Sequence, residues 1–420
     1  MPGQRIIHVP RRFVSHEWGG TETVLHFLTQ EQLREGWQPE IHTSLALSNV
    51  RDEEWQGVPI HRYGYTYPYF GLSSAQRQSM DKKGGNLVSL SLYRALVRAQ
   101  NVRLFHAHAL KRLGGEVLTA ARRQKKPFIV TLHGGVFQVP ADELKQMEAS
   151  RSGTWEWGKV LGMLFRSRRV LEDADAVICL GQDEFDTAVK SLAHERVHLI
   201  GNGVDPQRFT SGDGAAFRRQ HSIPSDAQVI ACYSRFDPQK DQTTLLEAFF
   251  LLAERHPQLF LVLAGPETVP DYVSALDAKI AASPFASRIR RLPAIPFSGG
   301  ALADAYAGCD LFALASRHEP FGIVVLEAWA SGKPVVAARV GGLQKLITDG
   351  VDGLHFEVRD VAGCATQLER LVADPAWARA MGEQGRQTAL SRYTWKAIAD
   401  RIEQVYQEAE RRFATASANA

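Results

Sequence analysis

The stretch LFALASRHEPFGIVVLEAWASGKPVVAA, from Leu311 to Ala338, holds three apolar runs with different rhythms. Leu311–Ala315 and Pro334–Ala338 are short and continuous, as strands buried on both faces read. Between them, Phe321–Ser331 places Ile323, Leu326, Glu327 and Ala330 at i, i+3, i+4 and i+7, the spacing of one helix face. Strand, helix and strand in that order make a βαβ unit, whose strands lie parallel in a helix-covered sheet. The unit also raises a chemical question, because Glu319 sits at the mouth of the helix and Glu327 on its inward stripe. A lone buried carboxylate carries a large desolvation penalty. Glu327 is therefore either paired to a cation or turned toward a polar ligand such as the vicinal diol of a ribose. The free N–H groups of Phe321, Gly322 and Ile323 at the helix start suit an anion, and Gly322 lets one come close.

The same alternation runs through the chain. Candidate strands in the first half are Arg5–Val9, Glu40–Ser44, Ile60–Tyr63, Leu104–His106, Phe128–Leu132, Ala176–Leu180 and Val197–Ile200. In the second half they are Val229–Tyr233, Leu259–Ala264, Ile289–Leu292, Leu311–Ala315, Pro334–Ala338 and Gly353–Phe356. So many strands exceed an ordinary open sheet, and the Gly-, Pro- and Asp-rich Gly201–Gly214 offers a break. The expected fold is α/β with two Rossmann-like, doubly wound parallel-sheet domains, residues 1–200 and 205–385. Residues 386–420 are expected to hold a C-terminal helix packing across both, read from Arg392 to Arg412 and ending in a frayed TASANA tail.

Composition narrows the classes. The 420 residues are 45% hydrophobic and 23% charged with a net charge of +3, a balance too mild for a nucleic-acid partner. Cys179, Cys232, Cys309 and Cys364 form no CxxC pair and read as reduced core thiols. The start MPGQRIIHVPRRF lacks the apolar core of a signal peptide, and no uncharged run reaches the ~20 residues of a membrane span. The expected location is cytoplasmic, with peripheral contact on the inner face of a membrane as the other reading. Oligomeric state leaves no signal. Thr154–Arg169 joins Trp155, Trp157, Leu161, Leu164 and Phe165 to basic residues. It reads as a core helix with a basic solvated side, the alternative being rest on an anionic bilayer.

Ligands of such sheets bind beyond the carboxyl ends of the strands, so the loops there carry the candidates. Gly19-Gly20 follows the first strand and opens a helix, a place where backbone approaches phosphate, without the dinucleotide pattern GxGxxG that NAD would need. His133, with Gly134 and Gly135, ends the strand Phe128–Leu132 and faces the cleft, where imidazole can meet a sugar hydroxyl or a phosphate. His106 and His108 share a strand face, and a polar rim fits them better than a metal site. Asp173–Asp175 spells DxD but precedes its strand, the wrong end for a ligand. Arg235 and Lys240 bracket the loop after Val229–Tyr233, a fork and a point charge suited to a diphosphate.

Taken together, Glu319 and Glu327 with seven residues between them resemble the E-x7-E motif of retaining glycosyltransferases of the GT-B fold, most closely glycosyltransferase family 4. The resemblance covers nearly the whole chain through Gly19-Gly20, HAH, TLHGG, ADAVICLG, GNGVDPQRF, YSRFDPQKD, LVLAGP and EPFGIVVLEAWASGKPVVAARVGGLQKLITDGVDGLHF, in order. It implies two domains facing a central cleft, the second holding a nucleotide-sugar and the first presenting the acceptor. It further implies diphosphate contacts from Arg235 and Lys240, phosphate and sugar contacts from the backbone at Phe321, Gly322 and Ile323, and sugar hydroxyls on Glu319. The ribose would lie on Glu327, the base by Ile295, the phosphates under Gly19 and Gly20, and the donor sugar by His133. Ser234, Ala294 and Pro320 stand where the family usually carries glycine, and Pro320 removes an N–H beside the sugar. The implied reaction moves a hexosyl group from a UDP-sugar, or next GDP-mannose, to a hydroxyl of a sugar, glycan or lipid-linked acceptor. Anomeric configuration would be retained, and no metal or other cofactor is required. The alternatives are another GT-B nucleotide-sugar enzyme, whether hydrolase, epimerase or phosphorylase, and a non-catalytic binding protein.

Overall fold

The computed structural model describes residues 3–134, 153–297 and 299–418. The chain forms two compact units, Met1–Gly201 with Ile398–Ala420, and Asn202–Ala397.

Strands of the first unit are β1 Arg5–Val9, β2 Gln38–Ser44, β3 Asp52–Trp55, β4 Val58–Tyr63, β5 Tyr69–Phe70, β6 Val102–Ala107, β7 Phe128–Leu132, β8 Trp155–Glu156, β9 Ala176–Cys179 and β10 Val197–Leu199. Eight of them form one sheet in the order β10-β9-β7-β6-β1-β2-β4-β3. Successive strands run outward from β1 in one direction and then, from β6, in the other. The order thus reverses between β1 and β6, and the loops after these strands border the crevice where such sheets bind ligands. Every expected strand is present, within one or two residues at its ends. The sheet departs from the all-parallel expectation at its edge, where β3 pairs antiparallel with β4. Gln56 and Gly57 join the two with φ of 49° and 82°, the doubly left-handed turn that matches hairpin twist. A second antiparallel ribbon, β5 with β8, lies outside the sheet.

The second unit is a six-stranded parallel sheet, ordered β13-β12-β11-β14-β15-β16. Its strands are β11 Gln228–Tyr233, β12 Leu259–Ala264, β13 Ile289–Leu292, β14 Leu311–Leu314, β15 Val335–Ala338 and β16 Leu354–Phe356. Here the order reverses between β11 and β14. Five of the six are buried through most of their length, which is why they read as continuous apolar runs; the edge strand β13, IRRL, is buried only at Ile289.

The last helix spans Trp395–Ala418, so the expected fraying begins later than Thr415. From Ile398 onward it belongs to the first unit. Arg103 on β6 holds Glu403 and Glu410 of this helix by four hydrogen bonds of 2.8–2.9 Å. All four cysteines are buried and free.

The core-helix reading of Thr154–Arg169 is corrected. Only Lys159–Leu164 is helical, and Val160, Met163 and Leu164 are 71%, 79% and 66% exposed, while of the large apolar side chains Phe165 is buried. Six residues make less than two turns, and Phe165 with the close seat of Gly158 on Pro68 anchors the segment with its apolar stripe outward.

Candidate active site

In the second unit, the loop after β11 and the loop after β14 flank the reversal of strand order, and four contacts stitch them together. Arg317 grips Asp241 with two hydrogen bonds of 2.9 Å. The Arg317 N–H donates to the Gln239 carbonyl at 2.8 Å, and the Gln239 amide donates to the His318 carbonyl at 3.1 Å. Lys240 Nζ meets Glu319 Oε2 at 2.5 Å. The Asp237 carboxylate shapes the turn by accepting from the N–H groups of Gln239 and Lys240. Lys240 and Glu319 are thus brought into direct contact, both largely buried. Arg235 stays on the rim with its guanidinium half-exposed, 3.1 Å from Gln239 Oε1 and 3.4 Å from Asp237 Oδ2. A largely buried ammonium and carboxylate in direct contact offset each other's desolvation cost.

The helix after β14 is Ile323–Ala330, one turn-start later than the periodicity suggested, because Gly322 caps it at φ +100°. A side chain there would also strike Leu343 at 2.6 Å. The turn after β15 fixes the backbone that carries Glu319. The Gly342 N–H donates to the Glu319 carbonyl at 2.8 Å. Gly341, at φ +47°, approaches so closely that a Cβ would stand 2.4 Å from that same oxygen. The helix is buried over most of its surface, and Ile323, Val324 and Glu327 are its partly open residues. Of the stripe expected to be hidden, Leu326 and Ala330 are buried, while Ile323 and Glu327 are only partly so.

Glu327 makes no direct ion pair among the described residues. Its Oε2 accepts from the buried Tyr306 hydroxyl at 2.9 Å. Burial pushes its carboxyl up to about 7, opposed by the Tyr306 hydrogen bond and by the charge of Arg208. Arg208, from the 3-10 turn Pro206–Phe209, lies 4.0 Å over the Phe297 ring. Ile295, proposed for the base, is partly buried in the loop between β13 and the helix Ala301–Gly308. Arg317, Asp241, Tyr306, Arg208, Gly341 and Gly342 are parts of this site that sequence reasoning missed. The signals were present as an acidic residue just before a helix and as the GG of AARVGG.

In the first unit, His133 follows β7 and joins a chain of imidazoles. Its Nε2 lies 2.9 Å from His108 Nδ1, His108 Nε2 lies 3.1 Å from His8 Nδ1, and His8 Nε2 lies 2.8 Å from Gln32 Oε1. His106 is held separately by Tyr406 and Thr131, each at 2.7 Å. Hydrogen bonds to protein therefore engage both ring nitrogens of His8, His106 and His108, although one nitrogen of each could reach a common ion. Burial pushes the pKa of His8 and His133 down to about 4, so both are neutral near pH 7. Gly135 of the HGG motif lies outside the described residues. Gly19 caps the helix Gly20–Arg34 in extended backbone, with the buried Glu22 carboxyl beside it. Arg12 stands 3.8 Å from Glu22. Asp175 of the DxD accepts from Arg122 and from the Phe128 N–H at 2.7 Å each, at the amino end of β9, and Asp173 pairs with Arg169.

Two family models match: Glycosyltransferase Family 4 over residues 18–208 and Glycosyl transferases group 1 over residues 213–388. Among curated relatives, D-inositol 3-phosphate glycosyltransferase of Saccharomonospora viridis is 34% identical over 57% of this chain and 57% of its own length. The protein of the same name from Streptomyces bingchenggensis is 30% identical over 73% of this chain and 67% of its own. The chain spans just over half the length of the first of these. Among solved structures, Anabaena HepE in complex with UDP and glucose superposes with a TM-score of 0.70 at 20% identity, over 96% of this chain and 99% of that one. This likeness concerns the fold. With two parallel-sheet Rossmann-like units, both family matches and a GT-B neighbour, the chain belongs to the group 1 glycosyl transferases of the GT-B fold, with a family 4 glycosyltransferase region as its first half.

Proposed function

We propose that the chain transfers a hexosyl group from a nucleoside diphosphate sugar, a UDP-sugar first and GDP-mannose next, to a hydroxyl of a sugar, glycan or lipid-linked acceptor, retaining anomeric configuration. The observation that carries the reading is the stitched pair of loops in the second unit. It sets two cations, one sugar-sized carboxylate and a helix N-terminus at the reversal of strand order. Lys240 and Arg235 take the diphosphate, the N–H groups at Phe321–Ile323 its distal phosphate, and Glu319, released from Lys240, takes sugar hydroxyls. Glu327 takes the ribose diol and Ile295 borders the base. Within the first unit, His133, as a neutral hydrogen-bonding group, and Gly19-Gly20 are the proposed donor contacts.

Retention through a covalent intermediate needs a carboxylate beneath the anomeric carbon. The proposed path instead breaks the bond from C1 to the diphosphate and forms the bond to the acceptor oxygen on the same face. The acceptor proton passes to the departing phosphate oxygen. The charge growing on that phosphate is what the cations and helix N–H groups stabilise. No divalent metal has a role in this path, and the DxD carboxylates are occupied in holding the amino end of a strand. The relatives' name adds an inositol phosphate to the acceptors to be tried.

The test is a panel of UDP-, GDP-, ADP- and TDP-sugars with sugar, lipid-linked and inositol phosphate acceptors, run with and without EDTA, with product anomers assigned by NMR. A glycoside of retained configuration, formed in EDTA, is the expected result. Inversion, or activity restored only by Mn²⁺, refutes the path. Donor hydrolysis with every acceptor refused points to a hydrolase instead.

A further inference from the structure

Large apolar side chains are rarely left exposed together. Of the eleven exposed large hydrophobic residues among those described, seven are Phe70, Leu90, Trp155, Trp157, Val160, Met163 and Leu164. They come from three separate stretches of sequence and meet on the first unit. Phe70 and Trp155, on the antiparallel ribbon β5–β8, stack face to face at 5.6 Å with rings only 8° apart. Trp157 lies 6.1 Å from Phe70. Val160, Met163 and Leu164 then line one side of the short helix. Leu164 continues into a pocket of about 290 Å³ whose walls include Leu90, Tyr93 and Arg94. The ribbon and helix are held from below. Arg112 binds the Gly158 carbonyl and the Glu156 carboxylate, and Phe165 is buried. Rigid anchoring with apolar groups outward is the reverse of what a self-contained domain needs.

The charge around the apolar residues identifies the partner. Lys159, Arg168 and Arg94 have no ion pair among the described residues, whereas Arg166 and Arg169 share Asp173, Arg169 also reaching Glu172. The one carboxylate inside the patch, Glu156, is taken by Arg112. Flat aromatic rings, a run of aliphatic tips and unpaired basic heads around them match the interface of an anionic bilayer, where tryptophan settles at headgroup depth and lysine and arginine meet lipid phosphates. No helix among the described residues is long and apolar enough to cross a membrane, so the contact is with its surface. We infer that the face built from Phe70, Trp155, Trp157, Val160, Met163 and Leu164 docks the first unit onto an anionic lipid surface. The inference is independent of the donor reading, and its test leaves the second unit untouched.

The experiment is flotation of the full chain with vesicles of phosphatidylcholine alone and with about one-third phosphatidylglycerol, at low and high salt. The expected result is flotation with the anionic vesicles that weakens with salt. Trp155→Ser/Met163→Ser/Leu164→Ser should abolish it. Lys159→Gln/Arg168→Gln should weaken it about thirtyfold, at about fivefold per basic residue near an anionic surface. Circular dichroism and UDP binding should match the parent in both variants, so that a folding defect is recognised. The proposal is overturned if the parent chain stays with the buffer, or if the triple variant floats as well as the parent. It is equally overturned if the triple variant instead abolishes a self-association seen by sedimentation, which would make a second copy the occupant.

Discussion

Replacing Tyr306 by phenylalanine isolates the role of Glu327. The hydroxyl is fully buried and donates to Glu327 Oε2 at 2.9 Å, with the Val324 carbonyl at 3.2 Å as a second acceptor. It therefore favours the ionised carboxylate, whose pKa burial has already pushed up to about 7. A hydrogen bond to a charged group is worth about 1.5–3 kcal/mol, and about 1.4 kcal/mol moves a pKa by one. Without the hydroxyl, the carboxyl should titrate at about 8–9. If the ribose diol is held by the ionised form, UDP affinity in the parent rises with pH through about 7. In Tyr306→Phe the same rise moves up by one to two pH units, so binding at pH 7.5 is about eightfold weaker and at pH 9.5 within about twofold of the parent. Calorimetric titration of UDP between pH 6 and 10 reads this directly. An unchanged affinity at pH 7.5 would refute the ribose assignment. A loss equal at every pH would show that the hydroxyl matters for packing and not for the charge of Glu327.

Other perturbations bear on neighbouring claims. Arg317→Met leaves the Asp241 carboxylate buried without its partner and should destabilise the second unit by about 3–5 kcal/mol in urea unfolding, the scale for an orphaned buried charge; a change under 1 kcal/mol would mean the stitch is ornamental. Gly341→Ala forces a side chain against the Glu319 carbonyl at a left-handed φ. It should weaken UDP-glucose binding more than UDP binding if Glu319 faces the sugar as proposed, and equal effects would contradict that placement. His8 is fully buried with a pKa near 4 against 6.5 when free. Below 6.5 the unfolded chain takes up a proton that the folded chain refuses, so stability is complete above 6.5 and is lost as pH falls toward 4, by about 3 kcal/mol for this group. Chemical denaturation of the first unit from pH 4 to 7 should show that slope, and a flat profile would contradict a neutral buried imidazole.

The fold was legible because parallel strands buried on both faces leave unbroken apolar runs between helical patterns. Edge structure was not. The β3 strand, DEEW, is acidic and exposed and turns on Gln-Gly, so neither its composition nor its turn announces it. In the site, Arg235, Lys240 and Glu319 could be singled out from position, since each lies in a loop after a strand, and Glu327 as a carboxylate on the apolar stripe of a helix. Their partners could not. Asp241 and Arg317 are 76 residues apart, and Tyr306 and Glu327 are 21 apart, brought together only by sheet order. The HAH motif showed two histidines of a cluster whose other members, His8, Gln32 and Tyr406, lie far off in sequence. At Lys159–Leu164 periodicity revealed an apolar stripe but not what covers it, so the stripe was assigned to the core when it faces outward.

The central claim is that the stitched loops of the second unit hold a diphosphate through Lys240 and Arg235. Single-turnover transfer from saturating UDP-glucose by Lys240→Ala and Arg235→Ala tests it most directly, with circular dichroism confirming the fold. The account predicts a rate at least about a hundredfold below the parent for each, the usual cost of one group stabilising transition-state charge. Turnover at the parent rate by either variant would contradict it.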